Sequence, residues 1–210
     1  MIVDEAQELS PMAWRLLMRR CPSRSMTVVG DLAQTGALGA PATWSEVLSP
    51  YVADRWRLTE LTVSYRTPAE IMDYTGRALA GADPAIVPPR PVRSTGVDPW
   101  EATGSLADLA ARVADELGSL GTGRLAVIAP AGHRAALAAA LPALTTGAAP
   151  DLEERAVLLT VAQAKGLEFD TVVVVDPAGI LTGSPRGAND LYVALTRPTQ
   201  RLGVFNLLAA

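Results

Sequence analysis

The sequence has few of the residues on which several protein classes depend. Its 210 residues include one cysteine, Cys21, and one histidine, His133, so an internal disulfide is excluded and a zinc-type cluster has too few ligands. Lysine and arginine together number 18, and Lys165 is the only lysine. With a net charge of −4, the chain lacks the excess of basic residues that is typical of a free-standing nucleic-acid-binding domain.

Signals for membranes and secretion are also lacking. No uncharged apolar run approaches the roughly 18 residues that a membrane-spanning helix needs. The first ten residues, MIVDEAQELS, include acids at positions 4 and 5, unlike a secretory signal. A single cysteine suits a reducing compartment. We therefore expect a cytoplasmic protein with no membrane partner.

Apolar runs and helix-start signals indicate an α/β fold. Apolar residues make up 49% of the chain, which excludes a disordered tail. Continuous apolar runs, typical of parallel strands covered on both faces, predict strands at 26–31, 124–130, 155–160, 171–176 and 201–207. Capping residues followed by proline or an acid predict helix starts at Ser10, Thr43, Thr67 and Ser105. The proline-rich stretch 82–100 is predicted to be a connecting loop.

Acids follow the first apolar segment directly, in IVDEAQ (2–7). At the carboxyl end of a parallel strand, Asp4 could hold Mg²⁺ through water and Glu5 could accept a proton from an attacking water. The alternative is an ordinary solvated turn. In VVGDLAQ (28–34), Gln34 could touch a γ-phosphate or orient water, because its amide both donates and accepts hydrogen bonds.

Tyr65 and Arg66 precede a predicted helix in LTVSYRTP (61–68). Tyr65 could stack on a base while Arg66 clamps a phosphate; alternatively the tyrosine lies at a core edge and the arginine in solvent.

The segment 160–176 carries Lys165, Gly166 and Glu168 between two apolar strands. Charged side chains there are costly unless they have a function or form a Lys165–Glu168 salt bridge. Arg197 ends a short helix before the next strand, where it could reach a phosphate or satisfy the helix dipole.

Five motifs, DEAQ, GDLAQ, SYRTP, AKGLEFD and YVALTR, stand in this order between positions 2 and 205. In that order they resemble motifs II to VI of superfamily 1 helicases of the UvrD/Rep/PcrA type. The resemblance implies a RecA-like P-loop NTPase fold, with the end of a first lobe at 1–62 and a second lobe at 63–210. It also implies ATP and Mg²⁺ as cofactors and single-stranded or duplex DNA as the partner of the intact protein.

The resemblance assigns roles in hydrolysis to residues of both lobes. Asp4 would bind Mg²⁺, Glu5 would be the base for the hydrolytic water, and Gln34 would sense the γ-phosphate. Arg66 would contact the γ-phosphate, and Arg197 would be the arginine finger that completes the site.

The same resemblance assigns residues that bind the nucleotide, in addition to these two arginines. Tyr65 would stack on adenine and Glu168 would contact the ribose. Lys165 and Gly166 belong to the same cofactor-binding motif.

Three departures from the family pattern limit what we expect of this chain. It has no G-x-x-x-x-G-K-[ST], so the chain alone should hydrolyse ATP poorly or not at all, as a fragment would. Ala162 stands where the family has a histidine associated with the DNA path. The loop 35–44 replaces an aromatic segment, and Trp44 is either a base-stacking residue or, the interpretation we favour, a core anchor.

The short spacing between SYRTP and the motif V threonine, the GDLAQTG sequence and the missing histidine together most resemble the helicase IV/HelD-type branch. Some of its members use ATP to release RNA polymerase from nucleic acid. The sequence thus leaves three hypotheses: a DNA helicase or translocase, an RNA polymerase recycling factor, and a binding module that does not hydrolyse ATP.

Overall fold

The computed structural model describes residues 1–35, 43–83 and 86–208, and it divides the chain into two compact units, Met1–Glu60 and Leu61–Ala210. The division lies close to the predicted boundary between residues 62 and 63. Most of the loop 35–44, on which the sequence departs from the helicase pattern, lies outside the described residues.

The first unit pairs two short parallel strands and packs two helices around them. Its elements are β1 (Ile2–Val3), α1 (Pro11–Arg20), β2 (Thr27–Val28) and α2 (Trp44–Val52), with 3-10 turns at Ala6–Glu8 and Leu32–Gln34. The strand predicted at 26–31 is therefore much shorter than expected. Trp14 and Met18 of α1 are buried in a small apolar cluster against which Trp44 packs, as expected of a core anchor.

The second unit contains seven strands and six α-helices among its described residues. The strands are β3 (Val63–Ser64), β4 (Arg90–Pro91), β5 (Trp100–Gly104), β6 (Leu125–Ala129), β7 (Ala156–Thr160), β8 (Phe169–Val175) and β9 (Pro198–Leu207). The helices are α3 (Ala69–Leu79), α4 (Leu106–Ser119), α5 (Arg134–Ala140), α6 (Val161–Ala164), α7 (Pro177–Gly183) and α8 (Gly187–Leu195).

Five of these strands form one sheet in the order β5-β9-β8-β6-β7, with every pair parallel. The predicted α/β fold is thus confirmed, and so are the four strands predicted between 124 and 207. Strand β6 is buried along its whole length, as its continuous apolar sequence requires. Strand β5 was missed because WEATG, at the sheet edge, alternates in burial and has no continuous apolar run.

The proline-rich stretch 82–100 is not the plain loop that the sequence predicts. Its Arg90–Pro91 segment forms β4, which pairs in parallel with β3, and its last residue, Trp100, begins β5. A proline can take part in such a pair because a strand edge needs no donor on its outer side.

All four predicted helices form, and three of them have the predicted cap. The hydroxyls of Ser10, Thr43 and Ser105 accept hydrogen bonds from the third residue of their helices. The start predicted at Thr67 is instead capped by Pro68, without a side-chain bond. Among the described residues, no helix is long and apolar enough to cross a membrane.

Candidate functional site

A strained turn after β1 holds the two acids of the first unit. Glu5 lies in the left-handed region with φ 49° and ψ 38°, which a non-glycine residue rarely adopts. Asp4 supports the turn because its Oδ1 accepts a hydrogen bond from the Glu5 amide at 2.9 Å. Both residues are exposed. The turn therefore presents two adjacent carboxylates to solvent at the carboxyl end of the strand.

A chain of hydrogen bonds connects Glu5 with Gln34. Gln7 Nε2 donates to Glu5 Oε2 at 2.6 Å, and Gln7 Oε1 accepts from the Asp31 amide at 3.1 Å. Gln34 Nε2 in turn donates to Asp31 Oδ2 at 3.1 Å. The close approach requires Gly30, because a Cβ there would collide with Gln7 Oε1. The structure thus links both predicted residues through Gln7, to which sequence analysis assigned no role.

The second unit brings Arg66 and Glu168 together as an ion pair. Arg66 Nε lies 2.8 Å from Glu168 Oε2, and the two side chains are 45% and 42% exposed. Arg66 comes from the loop before α3, whereas Glu168 comes from the loop before β8. The structure therefore joins two of the predicted nucleotide-contacting residues that are far apart in the sequence.

Arg197 reaches the same loop from inside the unit. Only 5% exposed, it donates from Nε to the Val193 carbonyl at 3.1 Å and from Nη1 to the Leu167 carbonyl at 3.3 Å. The first bond satisfies a carbonyl at the end of α8, which is the structural alternative that the sequence left open. The second bond joins the guanidinium to the residue directly before Glu168.

The remaining predicted residues surround this loop. Tyr65 is 75% exposed, as a side chain free to stack on a base must be. Gly166 has φ +71° and follows Lys165, which is half-buried and is the C-cap of α6. An open cavity of about 510 Å³ is lined by Gly166, Glu168 and Arg124, among others.

This cluster lies at the amino end of the parallel strands. Glu168 and Arg197 directly precede β8 and β9, whose first residues, Phe169 and Pro198, are paired. Open α/β sheets usually bind ligands at the carboxyl ends of their strands. The acids of the first unit lie at that edge, whereas the predicted arginines of the second unit lie at the opposite edge.

Sequence analysis missed Arg93 and the role of Glu70. The Arg93 guanidinium donates to the backbone carbonyls of Arg66 and Thr199. Glu70 accepts hydrogen bonds from the Ser94 hydroxyl and from the Thr95 and Gly96 amides, which lower its pKa to about 2. No sequence signal marks either interaction, because all three partners of Glu70, and Arg93 itself, lie in the stretch predicted as a loop.

The predicted site residues that the structure describes do not form a preformed metal-binding site. Within residues 1–35, 43–83 and 86–208, no group of three or more histidine, cysteine, aspartate or glutamate side chains could hold a metal ion. The chemistry of the donor set still fits Mg²⁺, which binds through one or two carboxylates together with water and substrate phosphates.

A family model confirms part of the sequence interpretation. Residues 155–205 match the model described as the UvrD-like helicase C-terminal domain. The matched segment contains the loop with Glu168, helix α8 and Arg197, whereas Asp4, Glu5, Gln34 and Arg66 lie outside it. No curated protein matches the sequence.

Solved structures show a related fold. The chain is similar to the C-terminal domain of a possible DNA helicase from Lactobacillus plantarum, with 22% identity over 69% of this chain and 88% of that chain and a TM-score of 0.49. It is similar to the PRRSV helicase, with 19% identity over 98% of this chain and 34% of that chain and a TM-score of 0.53. It is also similar to the arterivirus nonstructural protein 10 helicase in a complex with DNA, with 19% identity over 98% of this chain and 39% of that chain and a TM-score of 0.48.

At these identities the likeness shows the fold alone, which is that of a helicase RecA-like lobe with a parallel sheet between helices. The chain spans between a third and two fifths of the length of the viral helicases that it matches.

Proposed function

We propose that this chain, as the C-terminal part of a UvrD-like superfamily 1 helicase, serves in an ATP-dependent helicase or translocase that acts on DNA. The observation that carries the proposal is the loop before β8, which lies inside the matched helicase segment. Its Glu168 side chain binds one arginine and its Leu167 carbonyl binds another. Two guanidinium groups at one loop suit a polyphosphate ligand, because arginine binds phosphate in a forked, bidentate geometry.

The acids of the first unit would supply the hydrolytic chemistry. Asp4, exposed and holding a single backbone amide, has oxygen lone pairs free for a water-coordinated Mg²⁺. When bound, the ion would neutralise charge on the transferred phosphate. Glu5 would accept the proton of the attacking water, and Gln7 would orient the Glu5 carboxylate through its 2.6 Å hydrogen bond. Gln34 would respond to changes at this site through its hydrogen bond to Asp31.

The arginines of the second unit would bind the phosphates. Arg66 is half-exposed and would exchange its bond to Glu168 for a γ-phosphate oxygen, which leaves Glu168 free to accept from the ribose hydroxyls. Arg197 would have to give up the Val193 and Leu167 carbonyls before it could act as a finger. Tyr65, already exposed, would stack on adenine without rearrangement.

Hydrolysis would also need a P-loop, and the chain contains no G-x-x-x-x-G-K-[ST]. The first experiment therefore reads the source DNA upstream of codon 1 in the same frame. The proposal expects an open frame that encodes this motif. The longest product should then hydrolyse ATP faster with single-stranded DNA than without it.

A second candidate function follows from the missing P-loop. A stop codon and a ribosome-binding site directly before codon 1 would favour a binding module that does not hydrolyse ATP. A longer product that hydrolyses ATP without any response to DNA, and co-purifies with RNA polymerase, would favour the recycling-factor hypothesis instead. Binding to single-stranded DNA that weakens steeply with salt would favour the DNA motor.

A further inference from the structure

One arginine outside all the helicase-like motifs connects the loop that carries Arg66 with strand β9, which follows Arg197; Arg66 and Arg197 together are termed the arginine cluster. Arg93 donates from Nη2 to the Arg66 carbonyl and to the Thr199 carbonyl. Thr199 lies on β9, two positions after Arg197. A single guanidinium therefore fixes the main chain that carries Arg66 to the strand that directly follows Arg197.

The backbone around Arg93 makes this connection stiff. Segment 90–93 runs beside 62–64, where Arg90 donates to the Thr62 carbonyl at 2.8 Å and Val92 donates to the Ser64 carbonyl at 3.0 Å. The Arg93 carbonyl itself accepts from the Ala69 amide at 2.8 Å, at the first residue of α3. Directly after it, Glu70 holds residues 94–96 through three hydrogen bonds. Arg93 is thus anchored on both sides.

We propose that Arg93 is a positioning residue for the arginine cluster: it fixes the backbone of Arg66 relative to β9, so that Arg66 and Arg197 are presented to the same phosphate group. The inference rests on the proposed function for what the cluster binds, but the geometry that it describes needs no nucleotide. Positioning of this kind matters because a displacement of about 1 Å in a phosphate-binding group can cost about 100-fold in rate.

The first test uses the 210-residue chain itself and arginine side-chain NMR. Arg66 Nε lies 2.8 Å from Glu168 and should give a resolved, slowly exchanging Hε signal, assigned by its loss in Arg66→Lys. Arg93→Ala should broaden or remove this signal. Arg93→Lys should retain it, because an ammonium has three donors and can still serve two carbonyls.

The control is Arg90→Ala in the same segment. Arg90 makes only backbone hydrogen bonds in the part of the chain that the structure describes, so its loss should leave the Arg66 signal unchanged. The backbone signals of β6 and β8 show that each variant is folded. An Arg66 signal in Arg93→Ala with wild-type shift and exchange would overturn the proposal.

The second test uses steady-state kinetics of the longest in-frame product. Arg93→Ala should lower kcat about 10- to 100-fold with little change in KM, and Arg93→Lys should recover most of the loss. A wild-type kcat in Arg93→Ala would overturn the positioning role even if the NMR signal changes. A wild-type product without ATP hydrolysis would instead contradict the proposed function, while the NMR comparison would still decide whether Arg93 fixes Arg66.

Discussion

At the scale of single residues, Glu5 combines exposure with backbone strain. Its left-handed conformation and its hydrogen bond from Gln7 hold the carboxylate in one place, at a cost of about 1–3 kcal/mol for a non-glycine residue. Strained positions of this kind cluster at functional sites, which supports the proposal that Glu5 is the base.

Glu5→Gln should remove the base and preserve the fold. The amide has nearly the same shape and can still accept from Gln7, so nucleotide affinity of the longest in-frame product should change little. Its ATP turnover should fall by at least about 100-fold, because general-base catalysis contributes 10²- to 10⁴-fold. Single-turnover hydrolysis measures this. Wild-type ATP turnover in Glu5→Gln would show that Glu5 is not the catalytic base.

Arg197 should stabilise the second unit even without a nucleotide. Its guanidinium satisfies the buried Val193 carbonyl and the part-buried Leu167 carbonyl, so Arg197→Ala should lower the free energy of unfolding by about 1–3 kcal/mol, mainly through the orphaned Val193 carbonyl. Urea denaturation of the 210-residue chain gives this value, with exposed Arg90→Ala as the control. Equal midpoints for the two variants would contradict the buried arrangement.

The sequence predicts residue chemistry better than residue partners. Asp4, Glu5, Arg66 and Glu168 are predicted from residue types in ordered motifs, but the pairing of Arg66 with Glu168 was not predicted. The bond of Arg93 to two carbonyls cannot be recognised, because it depends on how a proline-rich segment folds back beside β3.

At the scale of elements, the best-predicted features are those with local causes. Strands β6 to β9 follow from continuous apolar runs, and the starts of α1, α2 and α4 follow from caps within three residues. Strand β5 and the pairing of β3 with β4 depend on distant partners, and the sequence missed both.

The cap of α4 provides a local test. The Ser105 hydroxyl accepts from the Asp108 amide, and the Asp108 carboxylate accepts from the Ser105 amide at 2.8 Å. Ser105→Ala should therefore lower the free energy of unfolding of the second unit by about 1 kcal/mol. Ser119→Ala, at the other end of the same helix, is the matched control. Equal loss in the two variants would contradict a specific cap.

Glu70 predicts a pH dependence for the segment that follows β4. Its pKa is lowered to about 2 from an ordinary 4.5, so the ionised form is the one that the folded state favours. The stabilisation should be complete above about pH 4.5 and should be lost as the pH falls from 4.5 towards 2.

Glu70→Gln should flatten the pH dependence of unfolding in that interval, since a neutral amide holds no ionisable proton. Urea denaturation at successive pH values measures it, and Glu154→Gln, at an exposed position, is the control. A pH profile for Glu70→Gln that is as steep as that of wild type would contradict the bonding to residues 94–96.

At the scale of the whole molecule, the two units differ in how much structure supports them. The second has a five-stranded parallel sheet with strands buried on both faces. The first has two strands of two residues, with Ile2 79% exposed, and sheets of two strands are marginal in water. Residues 61–210 should therefore unfold cooperatively when expressed alone, whereas 1–60 should not. Circular dichroism during urea denaturation distinguishes these outcomes, and a cooperative transition for 1–60 would contradict this view.

The measurement that tests the central claim most directly is DNA-stimulated ATP hydrolysis by the longest in-frame product, compared with its Arg66→Ala and Arg90→Ala variants. If the arginine cluster binds the transferred phosphate, the wild type should hydrolyse ATP, and the turnover of Arg90→Ala should stay within about twofold of the wild-type value. The turnover of Arg66→Ala should fall about 10³-fold, because arginines that bind the transferred phosphate contribute on this scale. Equal turnover in all three proteins, or no hydrolysis by the wild type, would contradict the account.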